Sequence, residues 1–404
     1  MSYGCVPKKL WHAVSKTALT LATASDHGFE TQSSPFDWPT VQQKISDVVV
    51  RLNNSHQSTC ESLGITLIKG TASLASETSV LVNNQEHRGK RILLATGATA
   101  HTLPIPGAHF CDTSQSFFSW STLPTNVVIW GGGYIAVELG GILNALGCKV
   151  HIIIRKENVL TGFDSDFQTE LHQRYLASGM VIHSETSISS IQSSGQQLQV
   201  ECNNGLVIDA DRVIQALGRS PNTAELNCQA IGIECASNGR IVVNEDYQTS
   251  VPSIYAIGDC SNAVQLTPVA IAEGREWVSK VLLKQSFDVD YTVVPTAIFS
   301  HPEAATVGVT EADARHEYNN VSTKILRFNP LTSALNQAKK DAVWIKLIFQ
   351  GSKERLIGVH MVCDNASEII QCLAIAIQNG VCKHDLDTTM ALHPSISEEL
   401  VTIY

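Results

Sequence analysis

Val127-Val-Ile-Trp-Gly-Gly-Gly-Tyr-Ile-Ala-Val-Glu-Leu-Gly-Gly-Ile-Leu-Asn-Ala-Leu-Gly-Cys-Lys-Val150 decides the fold. Val127 to Trp130 reads as a strand, Gly131-Gly-Gly133 as a turn and Tyr134 to Leu146 as a helix. Lys149 to Arg155 is the next strand. Gly131-x-Gly133-x-x-Ala136 therefore stands where a dinucleotide fingerprint must, with a strand before it and a helix after. The first glycine permits the tight turn. The second lets a pyrophosphate approach the backbone, and the small third residue lets helix pack on strand. The phosphates then rest on the helix N-terminus, where free N–H groups and the dipole favour anions. The second strand ends in Ile154-Arg155-Lys156. An acidic residue there would hold a ribose 2′-hydroxyl, whereas two cations suit a 2′-phosphate, which favours NADPH. The plainer reading of Arg155 and Lys156 is a solvated strand end.

Working outward, Gly97 to Thr125 is rich in Pro, Ser and Gly, as a connection would be. Before it, short apolar runs read as strands: Ile65-Thr-Leu-Ile, Ala72-Ser-Leu, Val80-Leu-Val and Arg91-Ile-Leu-Leu-Ala. Residues 5–24 predict a helix opening at Pro7, a favoured first-turn residue, and Val41 to Leu63 predicts a second. On the other side, strand–turn patterns continue to Arg219. Residues 222–290 include Ile254-Tyr-Ala-Ile-Gly-Asp259 and a helix from about Pro268. From Tyr291 the chain mixes a strand at Ala342 to Phe349 with helices at Glu368 to Gly380 and from Ser395 to the end.

Composition bounds the partners. The 404 residues carry a formal charge of −10 with no sustained basic run, which argues against nucleic acid. Hydrophobic residues make up 44%, enough for several cores. No stretch reaches the roughly 20 apolar residues that span a bilayer, and the start has no signal-peptide core. The expectation is a cytoplasmic protein with no membrane partner. The 11 cysteines are scattered without CxxC or metal-ligand spacing, so no metal is expected and most read as reduced, buried thiols.

Cys5 is the exception. In Gly4-Cys5-Val6-Pro7-Lys8-Lys9 it stands at a helix N-terminus followed by lysines, a setting that favours the thiolate. At the other end, His393-Pro-Ser-Ile-Ser-Glu398-Glu-Leu400 contains a histidine, the side chain best placed to move protons near neutral pH. Ser395-x-x-Glu398 in the same run is also a capping box.

These runs together resemble the flavin-dependent pyridine nucleotide–disulfide reductases, and the resemblance extends over essentially the whole chain. It implies an α/β fold with two Rossmann-like nucleotide-binding domains, the FAD one incomplete, and a C-terminal α+β dimerisation domain. The implied boundaries are 1–97 for the partial FAD domain, 98–221 for the NADPH domain, 222–290 for the return segment of the FAD domain, and 291–404 for the interface domain. Cys5 matches the second cysteine of the family's redox pair, the one that faces the flavin and forms the charge-transfer thiolate. Lys8 matches the lysine near flavin N5 and Glu138 the glutamate paired with it. Thr71, Ala72, Ala95-Thr96-Gly97, Asp259, Leu266 and Thr267 match FAD contacts, Asp259 at the ribityl chain. Gly131, Gly133, Tyr134, Ile135, Glu138, Arg155, Lys156 and Gly218 match NADPH contacts, with Tyr134 covering the nicotinamide pocket. His393 matches the acid–base histidine that crosses to the partner subunit of a homodimer, held by the glutamate matching Glu398. Arg275 matches an arginine that binds a glutathione carboxylate.

Within the family the chain is most similar to the glutathione reductases, which implies NADPH-dependent reduction of glutathione disulfide through FAD and a redox disulfide. Lipoamide dehydrogenases typically use NAD and carry His-Ala-His-Pro where this chain has Ala391-Leu392-His393-Pro394. Trypanothione reductases resemble the chain closely and remain an alternative. Two departures stand out. Thr161 occupies the position of the second 2′-phosphate arginine, and His56 that of a tyrosine lining the substrate site. The family's interchange cysteine and first glycine-rich loop would precede Met1. Two expectations follow: a start assigned too late in a complete reductase, or a non-catalytic remnant that still binds NADPH and dimerises. On either, the 404 residues alone are not expected to turn over by the family's route.

Overall fold

The computed structural model describes residues 2–30, 36–195, 197–335 and 342–403. The chain divides into two compact units. The first consists mainly of Asp47–His101 and Gly218–Tyr291. The second consists of Tyr3–Ser46, Thr102–Leu217 and the chain from Thr292 onward.

The second unit is built on a five-stranded parallel sheet in the order Asp112–Thr113, Arg212–Gln215, Asn126–Trp130, Lys149–Ile153, Val181–His183. Val127, Val128 and Ile129 are fully buried. Continuous apolar runs of this kind suit a parallel strand covered on both faces. The helix Tyr134–Ala145 buries Val137, Leu139, Ile142 and Leu143. Its Gly141 permits a close approach: a Cβ there would lie 3.0 Å from the His301 backbone nitrogen. The helix Cys5–Ala22 joins the same core through Trp11, which stacks on Trp38 at 4.0 Å.

This unit also holds a five-stranded antiparallel sheet, in the order Thr296–Ile298, Ala304–Gly308, Arg355–Val362, Val343–Gln350, Val321–Phe328. The helix Ala366–Gln378 lays Ile370, Leu373 and Ile377 on its Val307, Leu347 and Val359. A buried ion cluster ties this sheet to the helix Ser165–Ala177. Lys346, fully buried, lies 2.9 Å from Asp164 and 2.7 Å from both Asp166 and Glu311. Asp164 is also the helix N-cap, accepting from the Asp166 and Phe167 N–H groups.

The first unit has a smaller parallel element. Ile92–Leu94 pairs with Ile254–Ala256 in register Leu93↔Tyr255. A three-stranded antiparallel sheet, Ala72–Ser76, Ser79–Val82 and Gln85–Arg88, lies in the same unit. Its core gathers Leu74, Leu94, Leu226, Ile241 and Ile254.

Two sequence expectations are corrected. Ile65-Thr-Leu-Ile68 forms no strand; it is irregular and exposed. A strand needs a ladder partner for its N–H and C=O groups, and no described residue forms a ladder with these. The last helix is only the 3-10 turn Ile396–Leu400. Leu400 and Ile403 are both buried against the antiparallel sheet, which draws the chain inward.

Candidate active site

The glycine turn follows directly from the sheet. Gly131 takes φ +131, and a Cβ there would stand 2.2 Å from the Ala216 carbonyl oxygen, so only glycine fits. Gly133 is the extended N-cap of the Tyr134 helix, with no side-chain cap on the first-turn N–H groups and open space where a Cβ would be. The turn thus offers uncapped donors and room for a pyrophosphate. Its far side is fixed by the Leu160 N–H, which donates to the Gly132 carbonyl at 2.6 Å. Arg155 and Lys156 are exposed just beyond the Lys149–Ile153 strand, and Thr161 is exposed in the same loop. Tyr134 and Ile135 are half-buried in the first helical turn.

Cys5 is the first residue of its helix and is exposed. Pro7 falls in the first turn, where a missing N–H costs nothing. One turn on, Lys8 forms an ion pair of 2.8 Å with Glu138, whose carboxylate is buried. The Phe299 N–H donates to the same Glu138 oxygen at 2.9 Å. The ammonium groups of Lys8 and Lys9 lie 4.0 and 3.9 Å from the Phe299 ring centre. Sequence reasoning missed Phe299; its only signal was an aromatic residue next to Ser300-His301-Pro302. Below it, His12 stacks on His301 at 4.6 Å and contacts the Ser300 carbonyl oxygen at 3.3 Å. Burial keeps the His12 ring less basic than a free imidazole, against the pull of Glu303.

At the C-terminal end, His393 Nδ1 meets Glu398 at 2.9 Å. The other Glu398 oxygen accepts the Ser395 N–H at 3.3 Å, and Ser395 Oγ accepts the Glu398 N–H at 3.2 Å. The capping box and the histidine–carboxylate pair therefore coexist on one carboxylate. The His393 side chain is 81% exposed.

The remaining sequence candidates belong to the first unit. Ala95-Thr96-Gly97 leaves the carboxyl end of Ile92–Leu94, and Gly258–Asp259 leaves that of Ile254–Ala256. Parallel pairing sets these ends side by side, the place where α/β sheets take ligands. Gly97 takes φ +71 with open space over it. Asp259 lies 3.9 Å from Arg219, a cation that sequence reasoning did not single out. Arg219 also donates to the Ala98 carbonyl. Leu266 precedes the helix Thr267–Trp277, whose first turn has no side-chain cap. This arrangement suits the flavin-facing part of an FAD site, with backbone donors and one carboxylate. Arg275 and His56 are exposed on helices, Thr71 and Ala72 at a strand start, and Gly218 at φ +109.

A glycine turn for a dinucleotide, a second set of strand-end loops, and a thiol near a lysine–glutamate pair describe an oxidoreductase that works with two nucleotides. Comparison with known proteins narrows the class. The profile of the pyridine nucleotide-disulphide oxidoreductases matches residues 1–274, and that of their dimerisation domain matches residues 294–404. Glutathione reductase of Burkholderia cepacia is 35% identical over 99% of this chain and 89% of its own. The chloroplastic/mitochondrial glutathione reductase of Pisum sativum is 34% identical over 99% of this chain and 73% of its own. Among solved structures, the HOCl-induced flavoprotein disulfide reductase RclA from Escherichia coli superposes with a TM-score of 0.88 at 25% identity, covering 99% of this chain and 89% of that one. The chain belongs to the pyridine nucleotide-disulphide oxidoreductase family, in which the glutathione reductases it resembles use FAD and NADPH.

Proposed function

We propose that the protein is a glutathione-disulfide reductase, coupling NADPH oxidation to the conversion of glutathione disulfide into two glutathione molecules in the cytoplasm. The observation that carries this reading is the similarity to glutathione reductases across 99% of the chain. The geometry supports it. Arg155 and Lys156, both exposed, flank the dinucleotide turn where a 2′-phosphate would sit. Bound FAD supplies the two-electron relay between nicotinamide and disulfide. Cys5 would contribute its exposed thiol to that chemistry, and Lys8, held by Glu138, would contribute a fixed cation. With Nδ1 held by Glu398, His393 keeps Nε2 for a proton on the departing thiol of the partner subunit's site. That arrangement requires a homodimer built through residues 291–404. Arg275 holds a glutathione carboxylate.

A second reading, a related reductase for another disulfide, has support from the RclA likeness and from His56 at a substrate-lining position. The test is NADPH consumption by FAD-loaded protein, extended upstream of Met1 with the family's glycine-rich loop and interchange cysteine, offered glutathione disulfide, trypanothione disulfide and lipoamide in turn. Fastest consumption with glutathione disulfide supports the proposal. Preference for another disulfide overturns it. NADPH binding with no consumption on any of them would favour a non-catalytic dimer.

A further inference from the structure

Val181–His183 is the edge strand of the five-stranded parallel sheet, only three residues long, with His183 opposite Ile153. Its pairing with the neighbouring chain continues past the strand ends. The Ile154 N–H donates to the His183 carbonyl at 3.0 Å, the Thr186 N–H to the Ile154 carbonyl at 2.8 Å, and the Glu185 N–H to the Lys156 carbonyl at 3.2 Å. Ser184 Oγ donates to the Glu157 carbonyl at 2.6 Å. Together these bonds hold the main chain on both sides of Arg155. Glu185 takes φ +53 to make its bond, a conformation that a side chain adopts where the surroundings impose it. The edge strand is tied at its last residue by a side chain as well. His183 Nε2 lies 3.0 Å from His151 Nδ1, with the ring planes within 4° of parallel. His151 is opposite Val181, so its ring reaches diagonally along the face that residues 181 and 183 share. Burial, then His183 and Lys149, push His151 down to about 4, and burial lowers His183 as well. At neutral pH both rings are uncharged, so one N–H donates to the bare nitrogen of the other.

We propose that His151 and His183 are positioning residues for the 2′-phosphate of NADPH. Their ring-to-ring hydrogen bond pins the end of the edge strand, and residues 183–186 in turn fix the main chain that carries Arg155 and Lys156. This rests on the reading of those two cations as the 2′-phosphate site. An edge strand lacks a ladder on its outer side, and a short strand end opens readily. A side-chain tie at residue 183 limits that opening. Long cationic side chains have less to lose on binding when their main chain is already fixed, so the tie adds affinity through preorganisation. NADH has no 2′-phosphate for these cations to hold and draws on the Gly131–Gly133 turn. That turn is held by the Ile153 carbonyl and the Leu160 N–H instead. The tie therefore favours NADPH over NADH and leaves the turn as it is.

The test is equilibrium binding of NADPH and of NADH to the full chain and to two His183 variants. In His183→Ala the tie is gone, and NADPH should bind about fivefold more weakly, the worth of about one hydrogen bond, with NADH within about twofold of wild type. His183→Gln can carry an amide N–H to the Nε2 position and should return NADPH to within about twofold of wild type. Amide exchange gives a second readout. In His183→Ala, the Ile154, Glu185 and Thr186 amides should lose protection while Val128 and Ile129 keep theirs. Equal weakening of both nucleotides in His183→Ala overturns the proposal, because a merely structural role predicts it. So does unchanged NADPH affinity, unchanged protection at Ile154 and Glu185, or a His183→Gln no better than His183→Ala. Wild-type protein that binds the two nucleotides equally overturns the NADPH reading itself, and the proposal with it.

Discussion

The chain contains two parallel elements that carry candidate nucleotide contacts, and they are built on different plans. In the second unit five parallel strands stand together, and one continuous run supplies strand, glycine turn, helix N-terminus and cations. In the first unit the parallel element is a pair of three-residue strands, Ile92–Leu94 and Ile254–Ala256. Its candidate contacts come from chain segments far apart in sequence: Ala95–Gly97, Asp259, and Leu266–Thr267. The first plan makes a site that depends on local sequence. The second makes one that depends on distant segments being held in register. The two should therefore fail differently when perturbed.

The largest separation is expected from Lys346→Met. It leaves the buried Asp164 carboxylate and its neighbours without their cation. Removing one partner of a buried pair costs about 3–5 kcal/mol. Amide exchange should accelerate across the antiparallel sheet and the Ser165–Ala177 helix, and stay near wild type at Leu94 and Ile254. Equal acceleration in both units would break the comparison. Gly131→Val comes next. Its side chain would collide with the Ala216 carbonyl, so NADPH affinity should fall about 100-fold, or about 2.7 kcal/mol. Isothermal titration measures this, and wild-type affinity would show that the turn does not bind the pyrophosphate.

The smallest effect concerns acid. His151 and His183 stack on adjacent strands of the five-stranded sheet, with ring nitrogens 3.0 Å apart. Burial, then His183 and Lys149, push His151 down to about 4, and burial also lowers His183. Both rings are neutral in the fold and take protons more readily once it opens. Their stability contribution is complete above about pH 6.5 and declines as pH falls toward about 4. Both are partly exposed, so solvent screening reduces the effect to about 1 kcal/mol. Thermal unfolding of His151→Gln should lose less stability than wild type between pH 7 and pH 5, two values on either side of the ordinary imidazole range. An identical loss in both proteins would exclude the pair as the cause.

The same difference explains what was legible in the sequence. Gly131, Gly133 and Ala136 follow one another at fixed spacing, so their order along the chain is enough to mark the turn. The Lys8–Glu138 pairing came from resemblance, because spacing alone does not bring residues 130 positions apart together, and the role of the His393–Glu398 pair, five positions apart, came from resemblance too. Phe299 and Arg219 were missed for the same reason: their roles arise from where the chain returns, and no local pattern marks them. Ile65 to Ile68 had the composition of a strand, but composition cannot supply the partner that a ladder requires. The Lys346 cluster reads in sequence as one lysine in an apolar strand, and only packing shows its three carboxylates.

The most direct test is equilibrium binding of NADPH and NADH to the full chain, in parallel with Arg155→Ala. The account predicts NADPH tighter by about tenfold or more, equivalent to at least about 1.4 kcal/mol. Arg155→Ala should remove most of that difference and leave NADH unchanged. Equal affinities in the wild-type chain would contradict the assignment of Gly131–Gly133 and Arg155 as an NADPH site.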